Sequence, residues 1–169
     1  MCYGCQSGKD HTTWDHYKGS PETIHYSSLT EIDTSNVTKL QVAWTFHTGD
    51  ADTVHNSQIQ CNPIVVDGKL YGTTPQMALF SLDAATGKEI WRFNPFDTTT
   101  GALDNKGLFF ILNNSRGVAY WSDAKEDKRI FYTAGSHLYG INAVTGKIVT
   151  SFAGSGRLGL HNDLDRGVA

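Results

Sequence analysis

Apolar and polar residues alternate with a period of two in several short stretches of this chain, and no long segment keeps a helical period. Lys39–Phe46 puts Leu40, Val42, Trp44 and Phe46 on one face of an extended segment, the alternation of a strand buried on one side. Further on, the apolar runs Pro63–Val66 and Lys69–Gly72 flank Asp67-Gly68. Asp-Gly between such runs predicts a tight hairpin, because both central residues of a type I′ turn need positive φ. Only Leu29-Thr30-Glu31-Ile32 suggests a helical turn. The pattern predicts an all-β protein.

The strands repeat. Leu82-Asp83-Ala84-Ala85-Thr86-Gly87-Lys88 and Ile141-Asn142-Ala143-Val144-Thr145-Gly146-Lys147 say nearly the same thing 59 residues apart. Gly68–Tyr71 precedes the first copy and Lys128–Tyr132 the second, while Phe93 and Phe152 close the two at the same offset. In each turn Asp83 or Asn142 can hydrogen-bond its own backbone, and Gly87 or Gly146 can turn left-handed without a Cβ clash. Self-similarity at a fixed period marks an architecture in which each unit buries its apolar face against the next. Two antiparallel sheets are therefore predicted over residues 63–93 and 116–152, packed face to face, with 94–115 as an irregular insertion.

Composition narrows the function classes. With 39% hydrophobic and 18% charged residues the 169-residue chain is ordinary for a soluble domain, and its 17 glycines suit a turn-rich β protein. A net charge of −3 without any run of Lys or Arg recommends neither nucleic acid nor an anionic membrane surface as partner. No apolar stretch approaches the ~20 residues of a membrane span. Met1–Gln6 lacks the apolar core of a secretory leader. The chain is expected either to have lost a leader or to start inside a longer reading frame.

Some chemistry-bearing residues lead nowhere by themselves. Cys2, Cys5 and Cys61 are an odd count, and a single Cys2-x-x-Cys5 lacks the second pair of a zinc site. Gln6 stands where haem attachment needs a histidine. One of the two early cysteines is a candidate for a lipid anchor before a polar tether. His11, His16, His47, His55, His137 and His161 show no ligand spacing on a common face and read as solvated or hydrogen-bonded side chains. Gly154-Ser155-Gly156-Arg157-Leu158-Gly159 spells a dinucleotide fingerprint, but no helix or α/β alternation follows. It reads as a glycine-rich connection between repeats.

Larger motifs carry a family likeness. Leu79–Phe93 resembles the tryptophan-docking blade motif of the pyrroloquinoline quinone (PQQ) dehydrogenases. Tyr26–Ile32, Asn36-Val37, Val42–Asp50, Gln60-Cys61-Asn62-Pro63 before a hairpin, and Arg116-Gly117-Val118-Ala119-Tyr120-Trp121 at the next blade follow in the family's order. The resemblance covers roughly residues 14 to 160. It implies a partial eight-bladed β-propeller of quinoprotein type, with about two blades plus the N-terminal strand that in the family closes the last blade. The expected organisation is a tether and lead-in over 1–38, closing strand and loop over 39–60, and blade one over 61–93. An insertion over 94–115, blade two over 116–152 and the start of blade three over 153–169 complete it. The chain is expected to be an N-terminal fragment.

The resemblance also assigns residues. Arg116 matches the arginine that binds the quinone's carboxylates in the alcohol-oxidising members, and a guanidinium fork suits such a ligand. Gln60 stands where the family often has a glutamate contacting the cofactor, which keeps hydrogen bonding but changes the charge. Trp121 occupies a position held by histidine in the membrane glucose dehydrogenases and can either stack near the quinone or pack between blades. The alcohol dehydrogenases carry adjacent cysteines just before the arginine motif, forming a disulfide beside the cofactor. Asn113-Asn114-Ser115 here points to the glucose-dehydrogenase-like side. Cys61 has no sequence neighbour to pair with and reads as a small buried thiol.

The implied reaction is oxidation of a sugar or alcohol hydroxyl, in which an aspartate takes the proton and hydride passes to a quinone polarised by Ca²⁺. In the family that aspartate and the Ca²⁺ ligands come from later blades, beyond Ala169. This chain is therefore expected to hold part of a cofactor wall, no complete catalytic set and no activity alone. Implied partners are a quinone or cytochrome c electron acceptor and the remaining blades, in the periplasm or at a membrane. A rival is a non-catalytic propeller, such as an outer-membrane assembly lipoprotein or a sensor domain. It accounts for the repeats but not for Arg116–Trp121.

Overall fold

The computed structural model describes residues 11–54, 57–96 and 115–160. They hold two four-stranded antiparallel sheets, each a meander in chain order. The first comprises β1 (Ile64–Val66), β2 (Lys69–Thr73), β3 (Leu79–Asp83) and β4 (Glu89–Phe93). β5 (Ala119–Ser122), β6 (Lys128–Ala134), β7 (His137–Asn142) and β8 (Arg157–Gly159) make the second. The all-β class and the paired sheets are those of a partial, unclosed propeller of two blades, as the repeat predicts. The insertion over 94–115 lies mostly outside the described residues, as do Cys2 and Cys5.

Local chemistry sets the turns. Val66 pairs with Lys69 across Asp67-Gly68, both at positive φ (50° and 70°), which is the two-residue hairpin that Asp-Gly favours. In the repeated turn, Asp83 Oδ1 accepts from the Thr86 N–H at 2.8 Å and the Thr86 hydroxyl at 2.7 Å. Asn142 Oδ1 does the same for Thr145 at 2.8 and 3.0 Å. Gly87 and Gly146 both sit at φ 70°.

Those glycines also receive an aromatic ring. Trp91 from β4 donates its indole N–H to the Ala143 carbonyl at 3.2 Å. Its ring lies so close over Gly146 that a Cβ there would be 2.6 Å from Trp91 Cδ2. Trp44 repeats the arrangement on the first sheet, with its N–H on the Ala84 carbonyl at 3.2 Å and its ring over Gly87. Between the sheets, Ile64, Tyr71 and Leu79 meet Ile130, Tyr139 and Ile141 in one core of almost fully buried side chains. Apolar burial of this kind stabilises by ~1.5–3 kcal/mol per large side chain. The Tyr71 hydroxyl crosses the interface to the Ala143 carbonyl at 3.2 Å, and Phe93 packs on Tyr139 with ring centroids 5.8 Å apart.

Three expectations are modified. Leu40–Phe46, expected as a strand closing the last blade, pairs with no strand among the described residues, which do not include that blade. Extended chain becomes a strand only when a neighbour takes its N–H and C=O groups, and none lies alongside. Its alternation survives in part: Trp44 and Phe46 are half-buried while Leu40 and Val42 are 58% and 83% exposed. Short helical turns fall at Tyr17–Gly19 and Val37–Lys39 rather than at Leu29–Ile32; the second follows Asp33. There Asp33 accepts from the Ser35 N–H and hydroxyl, and the Val37 N–H closes back on the Asp33 carbonyl, so the turn-forming Asp and Asn decide the place.

The third change is at the outer edge of the second sheet. Ile148 bridges Ile141, the chain then loops away, and Arg157–Gly159 returns as β8 beside β7. Residues expected to open a third blade thus supply this sheet's outer strand. In the loop Phe152 folds back on Phe131, ring centroids 5.1 Å apart, and covers Gly140. Thr150 stands 59 residues after Trp91, so this edge has no indole of its own to dock. The sequence Gly154–Gly159 is a reversal and a strand, and opens no helix.

Candidate functional site at the junction of the sheets

The two sheets touch at the entrances of their first strands. Asn62, two residues before β1, bridges in parallel to Gly117, two residues before β5. The Asn62 backbone N–H and its side-chain amide both donate to the Arg116 carbonyl, each at 3.2 Å. On the other side Ser115, 4% exposed, donates its hydroxyl to the Gly117 carbonyl at 3.1 Å. The Arg116 carbonyl is therefore held by Asn62, and the Ser115–Gly117 bond spans it. Its side chain is exposed, and no hydrogen bond or ion pair reaches the guanidinium among the described residues.

Gln60 lies on the approach to the same junction. It is half-buried and donates its amide to Gln58 Oε1 at 3.1 Å, so its own carbonyl oxygen can still accept. Between Gln60 and Asn62, Cys61 turns a half-buried, free thiol toward Thr73. Burial pushes that thiol's pKa up, against hydrogen bonding with Thr73, so it stays protonated and unreactive at neutral pH. An open groove lined by Trp14, Lys18, His25 and Asn62 runs beside the junction, where Trp14 pairs with Val65 of β1.

Trp121 is placed differently. It stands five positions after Arg116, within β5. Val118 is buried in the core and Tyr120 packs against it, so Trp121 faces away at 45% exposed. Its cross-strand partner Arg129 lies 5.4 Å from the ring centroid, a cation–π contact. Arg129 is in turn held by Asp127 at 2.5 Å, and that hydrogen bond lowers the Asp127 pKa and raises that of Arg129. The fold thus ties Arg116 to Asn62, two residues after Gln60, and sets Trp121 on a separate, outward face. Sequence reasoning missed Asn62 and Ser115 as holders of Arg116, although Asn62 lay inside a motif already singled out.

Among the described residues no group of three or more His, Cys, Asp or Glu could hold a metal ion. The junction offers instead one exposed guanidinium, a group that can make paired charge-assisted hydrogen bonds to a carboxylate.

Residues 14–168 match the family model of the PQQ glucose/ethanol/alcohol dehydrogenase β-propeller domain. The chain belongs to this family. Among relatives of these PQQ dehydrogenases, the dehydrogenase subunit of the quinone alcohol dehydrogenase from Gluconobacter oxydans strain 621H is 37% identical over 138 residues, 82% of this chain and 16% of that protein. Quinoprotein glucose dehydrogenase A from Acinetobacter calcoaceticus is 31% identical over 167 residues, covering 90% of this chain and 21% of its own length. The crystal structure of quinohemoprotein alcohol dehydrogenase from Comamonas testosteroni superposes with a TM-score of 0.60 at 28% identity, over 82% of this chain and 19% of that one. The chain spans about a fifth of the length of such PQQ dehydrogenases.

Proposed function

We propose that the full-length protein oxidises a hydroxyl group of a sugar or alcohol with PQQ as acceptor, and that this chain supplies part of the cofactor wall. The observation that carries this reading is Arg116: an exposed guanidinium on a residue whose carbonyl Asn62 holds, at the junction of the two sheets. The donor set fits PQQ in kind. Arg116 would take its carboxylates and Gln60 would hydrogen-bond a ring oxygen or nitrogen without adding negative charge. Trp121 enters as the more distant member, presenting an indole whose other face meets Arg129. When bound, PQQ supplies a two-electron acceptor for the hydride leaving the substrate.

Arg116 binds and orients, and Gln60 helps fix the ligand's rotation in its plane. Orientation of this sort lowers a barrier by removing freedom before the reaction. Neither residue is a base for the substrate hydroxyl. That base and the Ca²⁺ ligands are assigned in this proposal to later blades of the longer protein, which also meet the quinone or cytochrome c acceptor. The blade limits proposed are 61–93 and 116–152, the second extended by β8, with the protein exported to the periplasm or membrane. The test is dye-linked oxidation of a panel of aldoses and alcohols by the full-length apo-protein, with PQQ and Ca²⁺ added. Activity that depends on both is expected; none under any combination would return the protein to the non-catalytic propellers.

A further inference from the structure

We infer that Asn62 is a positioning residue for the cofactor wall, acting through Arg116 and bridging one blade to the next. The inference rests on the proposed role of Arg116 and adds a residue to it. A bidentate guanidinium contact depends on where its Cα sits, since a displacement of about 1 Å spoils both hydrogen bonds at once. Arg116 belongs to the chain entering the second sheet, and its own sheet pairing begins only at Ala119. What holds its carbonyl in the meantime comes from Asn62, on the chain entering the first sheet. Asn62 directs two donors to one carbonyl oxygen, its backbone N–H and its side-chain amide, both at 3.2 Å.

The two donors differ in what they can encode. The backbone N–H bond would form with any residue here except proline. The side-chain bond needs a donor of this length, and Asn62 is exposed, so burial does not select its amide. Pro63 follows and restricts Asn62 to extended conformations, in keeping with a bridge that must run parallel to Gly117. Through this contact the position of the first blade fixes that of a side chain on the second. A ligand seated at the junction would meet both blades through one rigid link.

A double-mutant cycle on the full-length apo-protein tests this, read by equilibrium titration with PQQ. Asn62→Ala, which keeps the backbone bond, should weaken PQQ binding roughly threefold to tenfold, the scale of one neutral hydrogen bond. In the Arg116→Ala background the same change should cost less than about twofold, because the residue through which it acts is gone. Asn62→Ser, whose hydroxyl is a shorter donor, should lose less than alanine and serves as a second variant if the alanine protein fails to fold. Equal losses in the two backgrounds, or no loss with Arg116 present, would overturn the inference. If Arg116→Ala alone leaves PQQ affinity unchanged, it is the underlying assignment of Arg116 that fails.

Discussion

Trp91 and Trp44 make the same contact in two settings. Each indole N–H reaches the carbonyl of the alanine after a turn-forming Asp or Asn at 3.2 Å, and each ring covers the turn glycine. Trp91 does so from the middle of β4, hydrogen-bonded to β3 and backed by a four-stranded sheet. Trp44 does so from a segment that joins no ladder among the described residues, with Leu40 and Val42 left in solvent. The docking of an indole on a glycine turn is thus a local property of the two partners. A ladder is not, since it needs a second strand. The contact around Trp91 should be rigid and that around Trp44 compliant.

Substitution of the two glycines separates these cases most strongly. Alanine at either position meets left-handed backbone, a cost of about 1–2 kcal/mol. At Gly146 the new Cβ also runs into a ring that β4 holds in place, adding overpacking of about 1–3 kcal/mol. At Gly87 the Trp44 segment can move aside. Gly146→Ala should therefore lower stability by about 2–4 kcal/mol and Gly87→Ala by little more than the backbone strain, measured by chemical denaturation of the full-length protein. Equal losses would mean that the Trp44 segment is as firmly held as β4.

The covered junction differs again in a phenol. Tyr71 and Trp91 both donate to the Ala143 carbonyl, and burial pushes the Tyr71 pKa up to about 12 from its ordinary value of 10.0. The folded state holds this group neutral, so its contribution is intact below pH 10 and is lost as pH rises toward 12. A difference of that size amounts to about 2–3 kcal/mol. Tyr71→Phe should cost about 1 kcal/mol at neutral pH from the lost hydrogen bond, yet make the alkaline loss of stability shallower. Buried Tyr132 is raised for the same reason, by burial, so part of the alkaline slope should remain.

Much of this was legible from spacing. The 59-residue offset, Asp67-Gly68 and the paired turn motifs give two meandering sheets, because turn chemistry and period-two alternation are local. Leu40–Phe46 has the alternation of a strand, but alternation reports a face without supplying a partner, and the blade expected to pair with it is not among the described residues. The outer strand at Arg157–Gly159 was missed because the loop before it is set by Phe152 finding Gly140, a contact across the fold. At the junction, Arg116 and Gln60 were singled out through the motifs around them. The hold of Asn62 on Arg116 and the cover of Arg129 over Trp121 are pairings 54 residues apart and across a hairpin, and neither has a short-range signature.

The smallest expected difference lies in the twin turns themselves. Hydrogen bonds from Thr86 hold the Asp83 carboxyl below its ordinary pKa of 3.8, so its contribution is present above that value and is lost as pH falls through the lowered one. Asn142 makes the same bonds without titrating. In amide NMR spectra the Thr86 resonance should shift between pH 5 and the acid limit while Thr145 stays still, and Asp83→Asn should silence Thr86. A moving Thr145 would show that the two turns are not equivalent after all.

The central claim is that the exposed guanidinium of Arg116 is part of a quinone-binding wall. Calorimetric titration of PQQ into full-length apo-protein and its Arg116→Ala and Arg116→Lys variants tests it most directly. The account predicts a loss of about 1.5–3 kcal/mol in binding for alanine, about tenfold or more in affinity, with only partial recovery by lysine because a point charge cannot reproduce the fork. Unchanged affinity in Arg116→Ala, with the sheets still folded, would contradict it.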